Sequence, residues 1–144
     1  MTDGSKAAIG ERSTVHGNAV AVFDGGGILV SGLGSLNISD TFISSNNASV
    51  GQGGGIAVSG RSAVSFLNVS FVKNNARSGG GLHGGSGVQL FLVGCLFSEN
   101  VGSNGSGVSV SNGGVCNLAG SRFMRNTAAL QVSYTRQNVF FSFV

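Results

Sequence analysis

Glycine clusters open at Gly25, Gly53, Gly79 and Gly105, stepping by 28, 26 and 26 residues, and each interval contains a phenylalanine, at Phe42, Phe71, Phe97 and Phe123. This self-similar period is the strongest constraint on the fold. A repeat of this length cannot bury its own apolar face and must stack on its neighbours, which is the signature of a solenoid. Two short motifs carry the repeat, a Gly-Gly-Gly-Ile type and a Phe-x-x-Asn type.

Within each coil apolar residues alternate with small or polar ones: Ile56 and Val58, then Val64, Phe66, Val69 and Phe71. The next coil places Leu82, Leu90, Leu92, Cys95 and Phe97 in the matching columns, and the one after it Val108, Val110, Cys116, Leu118 and Phe123. Alternation is the period of a strand, not of a helix. The 26 glycines argue the same way, since each interior Gly costs a helix roughly 0.5–1 kcal/mol relative to Ala. The leucine-rich repeat is the nearest competitor, but its Leu-x-x-Leu-x-Leu spacing and helical return segment are missing. The expectation is therefore an all-β chain of one domain, residues 1–144, wound as a single-stranded right-handed parallel β-helix of the pectin-lyase type. It should have about five coils of ~26 residues, and at roughly 3.3 Å per residue such a coil has room for three sides.

Stacked coils lie about 4.8 Å apart, so equivalent side chains should form ladders. Phe42, Phe71, Phe97 and Phe123 are expected to stack in the core. Asn74, Asn100 and Asn126, which end the Phe-x-x-Asn motifs, are expected to form a turn ladder, taking left-handed backbone and bonding to their own turn or to their counterparts one coil away. The first coil has Asn46 and Asn47 one place late, which predicts a bulge or longer turn there. Lys73, Glu99 and Arg125 form a column of alternating sign, in which neighbouring opposite charges favour the register.

Catalytic and metal chemistry find little material. The acids Asp3, Glu11, Asp24, Asp40 and Glu99 show no two in the same or adjacent columns of adjoining coils, whereas polysaccharide hydrolysis needs converging carboxylates and a calcium-dependent lyase needs an acidic cage. Gly84-Gly-Ser-Gly-Val-Gln89 has Gln where a calcium-binding nonapeptide repeat needs Asp. The glycine clusters lack the Lys-Ser/Thr and the helix of a phosphate loop. Cys95 and Cys116, in different columns, read as small buried residues rather than as a disulfide or zinc ligands. His16 and His83 read as solvated turn residues. No catalytic residue, metal or cofactor is expected. A net charge of +3, scattered as single residues, gives no basic stripe for nucleic acid, and no run of 18 apolar residues suggests membrane insertion. Asn37, Asn47, Asn68 and Asn104 open Asn-x-Ser sequons, which matter only in a eukaryotic secretory setting.

Across residues 15–130 the paired motifs resemble the repeats of the chlamydial polymorphic outer membrane proteins, whose hallmark tetrapeptides are Gly-Gly-Ala-Ile and Phe-x-x-Asn. The resemblance rests on Gly25 to Ile28 with Phe42, Gly53 to Ile56 with Phe71 to Asn74, Gly79 to Leu82 with Phe97 to Asn100, and Gly105 to Val108 with Phe123 to Asn126. A third Gly stands where the family has Ala. The resemblance implies an autotransporter passenger: a secreted repeat segment at the outer-membrane surface or outside the cell that adheres to a host-cell surface protein or glycan.

The function expected is thus that of a non-catalytic adhesin passenger or rigid stalk. The alternative is a carbohydrate-binding or lyase-like β-helix acting on polysaccharide. Both ends fall in mid-coil, Val15 to Asn18 giving half a coil and Asn138 to Val144 an uncapped strand, so the chain is expected to be a fragment of a longer repeat protein and to associate end to end.

Overall fold

The computed structural model describes residues 6–32, 34–111, 113–128 and 139–142. Among them there is no helix, and the strands form a parallel β-solenoid of about four turns. Each turn lays one strand on each of four sheets. The first sheet holds β3 (Ile28–Val30), β7 (Ile56–Val58), β11 (Leu82–Gly84) and β15 (Val108–Val110). The second holds β1 (Lys6–Ile9), β4 (Ser35–Ser39), β8 (Ala63–Leu67), β12 (Gln89–Val93), β16 (Val115–Ala119) and β19 (Val139–Ser142). The third holds β2 (Thr14–His16), β5 (Phe42–Ser44), β9 (Ser70–Val72), β13 (Leu96–Ser98) and β17 (Arg122–Met124), and the fourth β6 (Asn47–Gln52), β10 (Asn75–Ser78), β14 (Val101–Asn104) and β18 (Thr127–Ala128). Of the tail strand expected over residues 138–144, Val139–Ser142 is a strand and pairs with β16; the other residues lie outside those described.

One expectation on the shape of a coil needs correction: there are four strands per turn rather than three sides. The reason is that each coil has four sharp corners, each made by a file of residues with left-handed backbone. Gly32, Gly60, Gly87 and Gly113 bend the chain from the first sheet to the second; Asp40, Asn68, Gly94 and Gly120 bend it from the second to the third. Ser45, Lys73, Glu99 and Arg125 make the turn into the fourth sheet, and Gly25, Gly53, Gly79 and Gly105 the turn back into the first. The glycine clusters close this last corner against neighbouring backbone. A Cβ at Gly55 would stand 2.5 Å from the carbonyl oxygen of Gly81, and one at Gly81 would stand 2.7 Å from that of Gly107.

The irregularity expected at Asn46–Asn47 lies just beyond them. β6 has six residues where β10 has four, and the register shifts between Ala76, opposite Ala48, and Ser78, opposite Gln52. The two extra residues account for the change of period from 28 to 26.

Inside, the second sheet stacks Leu36, Val64, Leu90 and Cys116 in one file and Ile38, Phe66, Leu92 and Leu118 in the next. The corner beside it fills by exchange of volume between neighbouring coils. Val58 sits with small Ser62, Gly84 with Val88, and Val110 with Gly114; a Cβ at Gly84 would come within 2.9 Å of Val88, and one at Gly114 within 2.7 Å of Val110. Buried Ser62 donates its hydroxyl to the carbonyls of Gly32 and Ser59, each at 3.0 Å. Packing at near-crystalline density requires this pairing of large with small.

Candidate functional site

The asparagines form the most continuous feature of the interior. Asn46, Asn74 and Asn100 are fully buried, and a buried amide must find partners for its donors and its acceptor. Each finds them one coil away. Asn74 Nδ2 donates to Asn100 Oδ1 at 3.1 Å and to the Ile43 carbonyl at 2.9 Å, while Asn74 Oδ1 accepts from the backbone N–H and Nδ2 of Asn46. Asn100 repeats the pattern with Asn126 and the Phe71 carbonyl, and Asn18 donates to Asn46 Oδ1. The file thus runs Asn18, Asn46, Asn74, Asn100, Asn126, two members longer than the three Phe-x-x-Asn motifs alone imply. Its asparagines do not themselves take the left-handed backbone. The preceding residues do, with φ of 53° at Ser45, 54° at Lys73, 55° at Glu99 and 51° at Arg125. That twist turns the following amide inward at the cost of about 1–2 kcal/mol for each non-glycine residue.

Phe71, Phe97 and Phe123 stack as neighbours, with ring centroids 4.6 and 4.8 Å apart and planes within 5° of parallel. Phe42 does not join them, which corrects the expected four-ring file. It pairs with Ser70 and points outward, 45% exposed, while Ile43 pairs with Phe71 and occupies the interior. Val15 continues that file one coil earlier, opposite Ile43. Side chains alternate across a strand, so the shift of one residue moves the ring to the other face.

The charged column lies at the left-handed corner, on the surface. Lys73 and Glu99 approach to 3.7 Å with both side chains substantially exposed, and among the described residues Glu99 and Arg125 form no such pair. A solvent-exposed pair of this kind contributes little, ~0–1 kcal/mol.

Cys95 and Cys116 are buried, free and in different files, Cys116 beside Leu90 and Cys95 beside Ser121. Burial raises both thiols, Cys116 to about 12, with the nearby Cys95 adding to that rise. Neither is poised as a nucleophile. His16, on β2, meets Ser44 Oγ at 2.8 Å through Nδ1. His83 is not the solvated turn residue expected. It lies buried on β11, between Ala57 and Ser109 of the adjoining coils. Its Nδ1 is buried without a hydrogen-bond partner, and desolvation lowers its pKa against a smaller raising effect of Asp24. Ser109, opposite His83, shares a hydroxyl contact of 3.0 Å with Ser78.

At the corner between the second and third sheets lies an open cleft of about 230 Å³. Three coils contribute to it: Arg12 and Ser13 from one, Asp40, Thr41 and Phe42 from the next, Asn68 and Ser70 from the third. Asn68 Nδ2 donates to Asp40 Oδ1 at 3.3 Å, joining two coils across the rim. Glu11 turns at the same corner one coil before Asp40, with φ of 57°, so these two acids do occupy adjoining coils of one corner, contrary to the sequence reading. Among the described residues no three of His, Cys, Asp and Glu gather closely enough to hold a metal ion. The sequence reading missed the cleft, although Arg12, Asp40 and Asn68 step by 28 and 28 residues in phase with the repeat. In comparisons with known proteins, the chain matches no family model, no curated protein and no solved structure.

Proposed function

We propose that the chain is a non-catalytic β-helical repeat segment of a cell-surface or extracellular protein, acting as an adhesin passenger or rigid stalk. The observation that carries this reading is the asparagine file. From Asn18 to Asn126 the amides are committed to one another and to backbone carbonyls, so the residues that recur maintain shape. Two of the four corners are glycine throughout, but at the turn into the fourth sheet the outward residue changes from coil to coil, and Ser45, Lys73, Glu99 and Arg125 present different chemistry on one framework. A regular stack with a variable corner suits display to a partner, here a host-cell surface protein or glycan. The resemblance to polymorphic outer membrane protein repeats supports the same reading.

The test is flow cytometry of the fluorescently labelled chain on intact cultured cells, run beside viscometry of polysaccharide solutions. Saturable cell binding with unchanged viscosity is expected. Depolymerisation would overturn the proposal, and the absence of saturable binding would overturn its adhesin form and leave the rigid stalk.

A further inference from the structure

We infer that the cleft between the second and third sheets is a carbohydrate subsite, taking one neutral pyranose ring of a surface glycan on the face of Phe42. This deepens the adhesin reading and rests on it for the setting in which a glycan is met. The cleft itself carries the ligand class.

A pyranose has an apolar C–H face and a rim of hydroxyls, so its receptor needs an uncovered aromatic ring beside convergent donors and acceptors. Phe42 supplies the ring. Its neighbours in the sheet are Thr14 on one side and Ser70 on the other. Both are small, and the ring remains 45% exposed. The polar rim is Asp40, Asn68 and Arg12. The carboxylate accepts from vicinal hydroxyls, the amide donates and accepts, and the guanidinium donates as a fork. The Asn68 to Asp40 hydrogen bond fixes two of these groups before any ligand arrives. Arg12 offsets Asp40, and Glu11 at the same corner adds a second negative charge, which favours a neutral sugar over a uronate.

The backbone points the same way. In this corner file Gly94 and Gly120 take left-handed φ of 63° and 56° without a side chain to strain. The earlier coils hold Asn68 at 53°, Asp40 at 46° and Arg12 at 63°. Asn68 and Asp40 take this backbone at little cost, as asparagine and aspartate do, whereas Arg12 does not, and its exposed side chain gains nothing from the core in return. Strained positions that carry exposed polar chemistry concentrate at binding sites. The cleft is smaller than the ~300–1,000 Å³ pockets that enclose drug-sized ligands. A single ring is the largest unit such an open cleft would contact, and adhesion through it would depend on many copies acting together.

The experiment displays the whole chain on beads over an array of neutral gluco-, manno-, galacto- and xylo-oligosaccharides and follows the best binder by titration calorimetry. At least one neutral oligosaccharide should bind. Phe42→Ala should weaken it about tenfold or more, as loss of an aromatic anchor does, while Phe42→Trp should retain it. Phe91→Ala, which removes another exposed phenylalanine on β12, should leave binding unchanged. Asn68→Gly accepts the turn without strain and removes the amide; it should weaken binding several-fold with no loss of thermal stability, separating a binding role from a folding one. The inference is overturned if no neutral oligosaccharide binds, or if Phe42→Ala or Asn68→Gly binds as the parent does. Cell adhesion that survives Phe42→Ala would sink the cleft while leaving the adhesin reading intact; loss of both cell and glycan binding by the parent chain would sink both.

Discussion

Replacing Asn74 with alanine should cost more stability than the deletion of any surface group. Asn74 is fully buried, and its side chain takes part in four hydrogen bonds: two accepted from Asn46 and two donated, to Asn100 and to the Ile43 carbonyl. In Asn74→Ala the backbone N–H of Asn46 and one of its Nδ2 hydrogens are left facing a cavity, and the Ile43 carbonyl loses a donor. Each buried group left without a partner costs about 1–3 kcal/mol, so three of them amount to roughly 3–9 kcal/mol, a large part of the ~5–15 kcal/mol by which domains are stable. Asn18→Ala, at the exposed end of the same file, removes only outer hydrogen bonds and should cost about 1 kcal/mol or less. Asn74→Asp should be worse at neutral pH than at pH 4, because its carboxylate would face the Asn100 Oδ1 and the Ile43 carbonyl unless protonated. Urea titration followed by circular dichroism reads all three variants. A loss below about 1 kcal/mol for Asn74→Ala, or equal losses at positions 18 and 74, would refute the reasoning.

Further outcomes follow from the same geometry. Phe97→Ala should destabilise by about 3–5 kcal/mol through cavity formation and the loss of two stacked neighbours, whereas Phe42→Ala should change stability by ~0.5 kcal/mol or less; thermal melting compares them. His83 has a pKa below 6.5 in the folded chain, so the unfolded chain takes up the proton first. Stability should hold above pH 6.5, fall as the pH drops below it and level off below the folded value, and His83→Ala should flatten that slope in urea titrations at stepped pH. The two buried thiols should react with a disulfide reagent only as fast as the native chain opens, and rapidly in denaturant. In the interior corner, Gly84→Val should destabilise by overpacking against Leu90 and Val88, and adding Val88→Ser should recover part of the loss, a coupling measured by a double-mutant cycle.

The period was readable because stacked coils place like on like, so sequence spacing is a direct image of spatial neighbours. Phe42 shows the limit of reading by residue type. Gly25 to Gly53, Asn46 to Asn74 and Ile43 to Phe71 all step by 28, whereas Phe42 to Phe71 steps by 29. The spacing itself thus assigned the interior place to Ile43. The left-handed turns at Lys73, Glu99 and Arg125 were not readable, since nothing in the local preference of these residues favours positive φ; the asparagine file imposes it from the next coil. The burial of His83 was not readable either, because the run Gly79-Gly-Gly-Leu-His-Gly84 has the composition of a turn. The cleft rim was legible as a 28-residue step through Arg12, Asp40 and Asn68, but its convergence on an outward Phe42 appears only once the register is correct.

The register of the third sheet is the claim on which the rest depends, and nuclear Overhauser contacts of the Phe71 ring measure it directly. Contacts are expected from Phe71 to the Ile43 methyl groups on one side and to the Phe97 ring on the other, with none to the Phe42 ring. Strong contacts between the Phe42 and Phe71 rings, with Ile43 facing solvent, would contradict that register.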